Sequence, residues 1–229
     1  MRQTLNRASD DAHRGPGRQS WPLPTTDYEA VDDQTLLSLM LRHSHIDPDA
    51  LAADLLARFG TLGAVAGADR VELLRVGDVG PAVIADLKLL PEIAVRLARI
   101  EAGRRPVIAS WSALVTYARA AMAHRPREQF RTLYLDNRNT LLRDEFVAEG
   151  TIDHAPVYPR EVVRRALELS AAALILVHNH PSGNPEPSRA DIEMTRKIVD
   201  AARVFGLQVH DHLVIGREGT ASFKALGLI

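Results

Sequence analysis

Histidines in His-x-His pairs are the residues of this chain best suited to chemistry. Six of the 9 histidines fall in such pairs: His43/His45, His178/His180 and His210/His212. The middle pair has Asp191 eleven residues after its second histidine, whereas the same spacing from the other two pairs leads to Leu56 and Phe223. Two imidazoles and a carboxylate suit Zn²⁺ and leave a fourth position open for water, as hydrolytic zinc sites require. We therefore predict a catalytic zinc site on His178, His180 and Asp191.

The elements around these residues must bring the three side chains together. Residues 172–177 (AALILV) are apolar throughout, which is typical of a buried central strand. The two histidines follow at positions two apart, so both imidazoles are expected on one side of the chain. A Pro- and Gly-rich loop, 181–187, then leads into a predicted helix from Ser188 to Phe205, with Asp191 in its first turn.

The rest of this half of the chain alternates between helical and strand patterns. Its predicted helices and strands are helix Ser112–Ala123, a hairpin of strands Gln129–Leu135 and Thr140–Ala148, helix Arg160–Ser170, and a last strand Leu207–Ile215. Together with the strand and helix around the histidines, this order predicts an α/β sandwich with mixed strand pairing.

The preceding residues, up to 102, predict several short helices. Asp47 or Asp49 can cap a helix that Gly60 ends. The turn at 76–80 (VGDVG), with Pro81 opening the next helix, is similar to the turn of a helix-hairpin-helix motif. Such a turn lets the backbone approach a phosphate, although the acid Asp78 would repel one. A tight turn without a ligand is the alternative.

Composition limits the remaining possibilities. The absence of cysteine excludes Cys-ligated zinc, iron–sulfur clusters, disulfides and a Cys nucleophile. No long apolar run is present, so we expect a cytoplasmic protein without membrane contact. The formal net charge of −1 argues against a general polycation, yet residues 103–131 carry six arginines against Glu128. We expect a flexible tail at 1–27, a helical domain at 28–103 and an α/β domain at 104–229.

The motif His-x-His-x7-Ser-x2-Asp resembles that of the JAMM (MPN+) metallohydrolases, and the wider sequence resembles the RadC family. The matching segments are YLDNRN at 134–139, EGT at 149–151, VYPREVV at 157–163 and HNHPSGNPEPSRAD at 178–191. The resemblance implies a cytidine-deaminase-like α/β/α MPN (JAB) core with a mixed sheet, preceded by a small all-α domain. It also implies zinc-dependent hydrolysis of an amide bond, either a peptide or an isopeptide bond, in a peptide or protein substrate.

The resemblance further implies two catalytic residues. It places the general base at the start of the first core strand, after a proline, where Glu128 stands in PREQF. Glu149 and Glu145 are the rival carboxylates. Ser188 would donate a hydrogen bond to the developing oxyanion, or would instead cap the helix that carries Asp191.

We expect His43 and His45 to be solvated or to cap a helix, and His210 to belong to a packed polar strand in which His212 or Asp211 could brace the zinc site.

The alternative function is a DNA-associated protein with a structural or vestigial metal and a weak DNA contact through its N-terminal domain. A metal-dependent nuclease is disfavoured, because Mg²⁺ sites are rich in carboxylates.

Overall fold

A computed structural model describes residues 28–43, 47–103, 107–150 and 157–229. The predicted tail at 1–27 and His45 lie outside the described residues. Asp33–Ile229 form one compact unit, and a 3₁₀ turn at Tyr28–Ala30 belongs to a separate one. The predicted domain boundary between residues 103 and 104 stays a prediction.

Five helices form the first part of the compact unit: α1 (Asp33–Leu41), α2 (Pro48–Phe59), α3 (Leu62–Gly67), α4 (Arg70–Leu73) and α5 (Pro81–Gly103). Asp47, and not Asp49, caps α2 by accepting hydrogen bonds from two backbone N–H groups of its first turn. Gly60 ends α2 at φ 88, a conformation that glycine adopts without strain. The helices pack around a leucine- and valine-rich core that includes Leu37, Leu55, Leu73 and Leu87.

The second part is built on a five-stranded mixed sheet. Its elements are α6 (Trp111–Met122), β1 (Glu128–Leu135), β2 (Leu141–Gly150), α7 (Pro159–Glu168), β3 (Ala173–Asn179), α8 (Arg189–Val204), β4 (Gln208–Ile215) and β5 (Thr220–Ser222). The strand order is β2-β1-β3-β4-β5, with β3 and β4 parallel and the other pairs antiparallel. The predicted α/β class and mixed pairing are confirmed. β5 was not predicted, because three residues are too few to show a period.

Helices cover both faces of the sheet, which makes an α/β/α sandwich. On one face α6 packs on strand residues that include Leu133, Ile175 and Leu213. On the other face α7 and α8 pack on strand residues that include Phe130 and Leu176. Every residue of β3 is buried, as its uninterrupted apolar run predicts for a central strand. None of the helices in the described ranges is both long enough and apolar enough to cross a membrane.

The loop after β3 is held against the turn between β4 and β5. Glu218 N donates to Gly183 O at 3.1 Å, and the Arg217 guanidinium donates to Ser182 O at 3.1 Å. Gly216 lies so close that a Cβ there would overlap the carbonyl oxygen of Gly183. The absence of a side chain at Gly216 therefore lets the two loops meet.

Replacing Gly216 should disturb this junction. We expect Gly216→Ala to lower the free energy of unfolding by about 1–3 kcal/mol, because backbone atoms on both sides must move apart. Gly219→Ala is the matched control, since its Cβ would meet only a Pro185 side-chain carbon at 3.7 Å. Its effect should stay within about 0.5 kcal/mol in urea unfolding. Equal effects of the two variants would contradict this account of the junction.

Candidate metal centre

The two histidines of the predicted site stand at the end of the central strand. His178 belongs to β3 and has a side chain that is 1% exposed. His180 follows the strand but stays beside β4, because its N–H donates to Ile215 O at 2.9 Å. The chain then turns, with Gly183 N donating to His180 O at 3.0 Å. Both imidazoles therefore lie at one end of the sheet, as their spacing predicts.

Asp191 is oriented by the start of α8. Ser188 is the N-cap residue and Asp191 the third helical residue, and the two form a capping box. The Asp191 N–H donates to Ser188 Oγ at 3.2 Å, while the N–H and hydroxyl of Ser188 donate to Asp191 Oδ2 at 2.7 and 2.6 Å. The motif that begins the helix therefore also fixes the carboxylate at the positive end of the helix dipole.

The three side chains present their ligand atoms to one point. His178 Nε2 and His180 Nε2 are 3.0 Å apart. His178 Nε2 lies 3.3 Å from Asp191 Oδ1, and His180 Nε2 lies 3.4 Å from Asp191 Oδ2. In a tetrahedral zinc site with bonds of about 2.0–2.1 Å, ligand atoms are about 3.3 Å apart. The donor set and its spacing therefore fit a zinc ion. Within the described ranges, this is the cluster of three His and carboxylate groups that could hold a metal ion.

Electrostatics at the site favour an ionised carboxylate. Burial alone would raise the pKa of Asp191, but the interactions of the carboxylate with the His178 and His180 imidazoles and with Ser188 outweigh it and hold that pKa well below its usual range. The nearby Asp191 carboxylate favours the charged ring and raises the pKa of His180 against the opposing effect of burial. The Asn184 carbonyl and the charge of Glu128 add to the rise. The site thus concentrates negative charge, as a cation site must.

The second ring nitrogen of each histidine also has a partner. His180 Nδ1 lies 2.9 Å from the carbonyl oxygen of Asn184. His178 Nδ1 lies 2.7 Å from Nε2 of His212, which is fully buried in β4. Ligand histidines in metal sites are commonly oriented through their second nitrogen in this way. His212 therefore touches the site, which sequence reasoning considered but left open.

Asp211 serves a different purpose from its neighbour. Its carboxylate accepts hydrogen bonds from the backbone N–H groups of His212 and Lys224, at 2.7 and 3.0 Å, and from the Ser222 hydroxyl. These bonds tie β4 to β5 and the C-terminal residues. Asp211 thus braces the strand that carries His212.

Strand register separates the candidate bases. Gln129 pairs with Glu149 across β1 and β2, and cross-strand partners point to the same face. Glu128, next to Gln129, points to the opposite face, the one to which Phe130 also points. The Phe130 ring is stacked on the ring of His178, with centroids 6.2 Å apart. Glu128 therefore shares the metal-site face of the sheet, and Glu149 does not.

The two rival carboxylates are engaged elsewhere. Glu149 accepts hydrogen bonds from Arg127 at 3.2 Å and from the Gln129 amide at 3.4 Å. Glu145 forms an ion pair with Arg165 of α7, with the guanidinium Nε 2.9 and 2.8 Å from the two carboxylate oxygens. The Arg165 hydrogen bond lowers the pKa of Glu145, which is a poor property for a general base.

The remaining histidine pairs show no comparable arrangement among the described residues. His43 Nε2 accepts a hydrogen bond from Arg42 at 3.2 Å, in an exposed position. His210 Nε2 lies 2.5 Å from the side-chain oxygen of Asn139. Asn139 follows the C-terminal end of β1, whereas Glu128 begins that strand. Burial lowers the pKa of His210, which disfavours the charged ring.

Comparison with known proteins agrees with the site. The sequence profile of the RadC-like JAB domain matches residues 108–228, which carry all three cluster residues. The chain belongs to the RadC family. A "UPF0758 protein" from Rhodobacter capsulatus is 54% identical over 203 residues, which cover 88% of this chain and 95% of that protein. The match to this relative therefore also takes in most of the helical region before the RadC-like JAB domain.

Metal binding tests the cluster directly. His178→Ala should reduce bound zinc below stoichiometry and raise the dissociation constant for Zn²⁺ at least about a hundredfold, because a ligand is lost. His210→Ala is the matched control, since it removes a histidine two residues from His212 without touching the cluster. Elemental analysis after dialysis would measure the zinc content of both variants. Unchanged zinc content in His178→Ala would refute the assignment.

Proposed function

We propose that this RadC-family protein is a zinc-dependent hydrolase of the JAMM type that cleaves an amide bond in a peptide or protein. The observation that most supports this proposal is the convergence of His178 Nε2, His180 Nε2 and the Asp191 carboxylate, whose atoms approach one another to 3.0–3.4 Å. A zinc ion held there would supply Lewis-acid chemistry, polarising a carbonyl and making water nucleophilic at neutral pH. A site with three protein ligands keeps a position for water or substrate, as catalytic zinc sites do.

Glu128 is proposed as the general base. A general base must stand near the reacting water without being a metal ligand. Glu128 faces the histidines from the start of β1, is half-buried, and lies close enough for its charge to raise the pKa of His180. In this role it takes a proton from the attacking water and returns it to the leaving amine nitrogen.

Ser188 is proposed to stabilise the oxyanion. Its side chain is exposed beside the site, and its hydroxyl donates a hydrogen bond to Asp191 Oδ2 in this structure. To serve a substrate oxygen, the hydroxyl must rotate away from that carboxylate. The backbone N–H of Ser188 keeps Asp191 in place when it does so, because it donates independently at 2.7 Å. Capping and catalysis are therefore compatible at this residue.

Paired glutamine substitutions test the assignment of the base. Glu128→Gln should retain stoichiometric zinc and lose about 10²–10⁴-fold in kcat on a cleavable peptide, since an amide cannot accept the proton. Glu149→Gln changes a carboxylate on the opposite face of the sheet, so this variant should keep the kcat of the wild type. Zinc analysis and peptide turnover, with and without a chelator, are the measurements. Full activity in Glu128→Gln, with loss in Glu149→Gln, would reverse the assignment.

A DNA-associated role is the second candidate function, and the turn between α4 and α5 favours it. Neither Gly77 nor Gly80 has an atom within 4 Å of the place a Cβ would occupy, so the backbone of the turn is open to a ligand. Asp78 adopts φ 64 in the same turn and brings a negative charge to it. We propose at most a weak phosphate contact there.

Salt dependence separates the two functions. Duplex DNA binding through phosphates should weaken steeply as salt is raised and should strengthen in Asp78→Asn, whereas peptide cleavage should respond to a chelator. Fluorescence anisotropy with a labelled duplex measures the first property. If neither the wild type nor Asp78→Asn showed salt-sensitive binding to the duplex, the DNA-associated role would be excluded.

A further inference from the structure

A buried chain of hydrogen bonds connects one proposed zinc ligand to another. His178 Nδ1 lies 2.7 Å from His212 Nε2, and His212 Nδ1 lies 2.6 Å from Thr195 Oγ1. Thr195 Oγ1 in turn lies 2.6 Å from the backbone oxygen of Asp191. We call His178, His212, Thr195 and Asp191 O the relay. Its inner members, His212 and Thr195, are fully buried and belong to different elements, β4 and α8.

The proton positions along the relay follow from which atoms can donate. A backbone oxygen can only accept, so the Thr195 hydroxyl gives its single proton to Asp191 O. That hydroxyl can then only accept from His212, so the proton of the His212 ring is on Nδ1. The His212 ring is fully buried and lies against the rings of Phe223 and Phe130, surroundings that disfavour a charged imidazole, so its second nitrogen, Nε2, carries a lone pair.

The last bond of the relay then sets the state of His178. Because His212 Nε2 is an acceptor, His178 Nδ1 must donate to it, and the lone pair of a neutral His178 is on Nε2. This is the atom that faces His180 Nε2 at 3.0 Å and Asp191 Oδ1 at 3.3 Å. A neutral imidazole without such a partner can carry its proton on either nitrogen.

Aromatic packing holds the middle of the relay. The Phe223 ring is stacked on the ring of His212 with centroids 4.5 Å apart, and the edge of Phe130 meets it at 5.4 Å. These contacts leave His212 little freedom to rotate or flip its ring. His180 obtains the same tautomer more simply, by donating Nδ1–H to the Asn184 carbonyl.

We infer that Thr195 and His212 are positioning residues that fix His178 in its Nδ1–H tautomer and thereby raise the affinity of the site for Zn²⁺. This inference rests on the proposed role of His178 as a zinc ligand. The Thr195 hydroxyl sets the proton positions along the relay, because it decides which His212 nitrogen is protonated. The same helix, α8, supplies both Asp191 and the group that orients His178.

Substitutions at Thr195 test the effect on affinity, with Zn²⁺ alone as the probe in competition with a chromophoric chelator. Thr195→Val is nearly isosteric but removes the hydroxyl, and we expect the dissociation constant to rise about 10–100-fold. Thr195→Ser restores the hydroxyl and should bring the constant close to that of the wild type. Thr132→Val changes an equally buried threonine that has no part in the relay, and it should leave the constant unchanged. Wild-type affinity in Thr195→Val would overturn the inference.

The tautomers themselves can be read without metal. In protein labelled with ¹⁵N-histidine at mildly alkaline pH, two-bond ¹H–¹⁵N correlations should show Nδ1–H for both His178 and His212. A proton on Nε2 of either ring in the wild-type protein would overturn the inference even if Thr195→Val failed to fold. If wild-type protein bound no zinc, the proposed function would fail, while this spectrum would still decide the relay.

Discussion

The capping box at the start of α8 is the interaction on which the site depends. Ser188 and Asp191 exchange hydrogen bonds there, and a cap of this kind contributes about 0.5–2 kcal/mol to helix stability. The same bonds aim the Asp191 carboxylate at the two imidazoles. A helix that began one residue earlier or later would turn this carboxylate by about 100° around the helix axis, away from the histidines.

The sheet supplies the other half of the geometry. Parallel pairing of β3 and β4 places His178 and His212 on adjacent strands, and antiparallel pairing of β1 with β3 brings Phe130 opposite His178. Apolar packing on both faces of the sheet keeps these strands in register. The two strands thus hold His178 and His212 next to each other, and the loop after β3 completes the site with the Asn184 carbonyl.

Local chemistry in the sequence predicted much of this arrangement. Short-range signals within single elements indicated the apolar run of β3, the start of α8 at Ser188 and both ends of α2, although they left Asp47 and Asp49 as alternatives for its cap. Register is different, because Glu128 and Glu149 are equally acidic in the sequence, and only strand pairing puts them on opposite faces. Thr195 was missed altogether. Its spacing of four residues from Asp191 could have placed it on the same helix face, but nothing local indicates a contact with β4.

The RadC-family core therefore unites a helix cap, a strand end and a buried polar chain around one point. We expect His178, His180 and Asp191 to bind one zinc ion at that point. Anomalous diffraction from crystals of the purified protein, recorded above and below the zinc absorption edge, would locate this ion. A single strong peak should lie within bonding distance of both Nε2 atoms and the Asp191 carboxylate. A peak held by other residues, or none in zinc-supplemented crystals, would contradict this expectation.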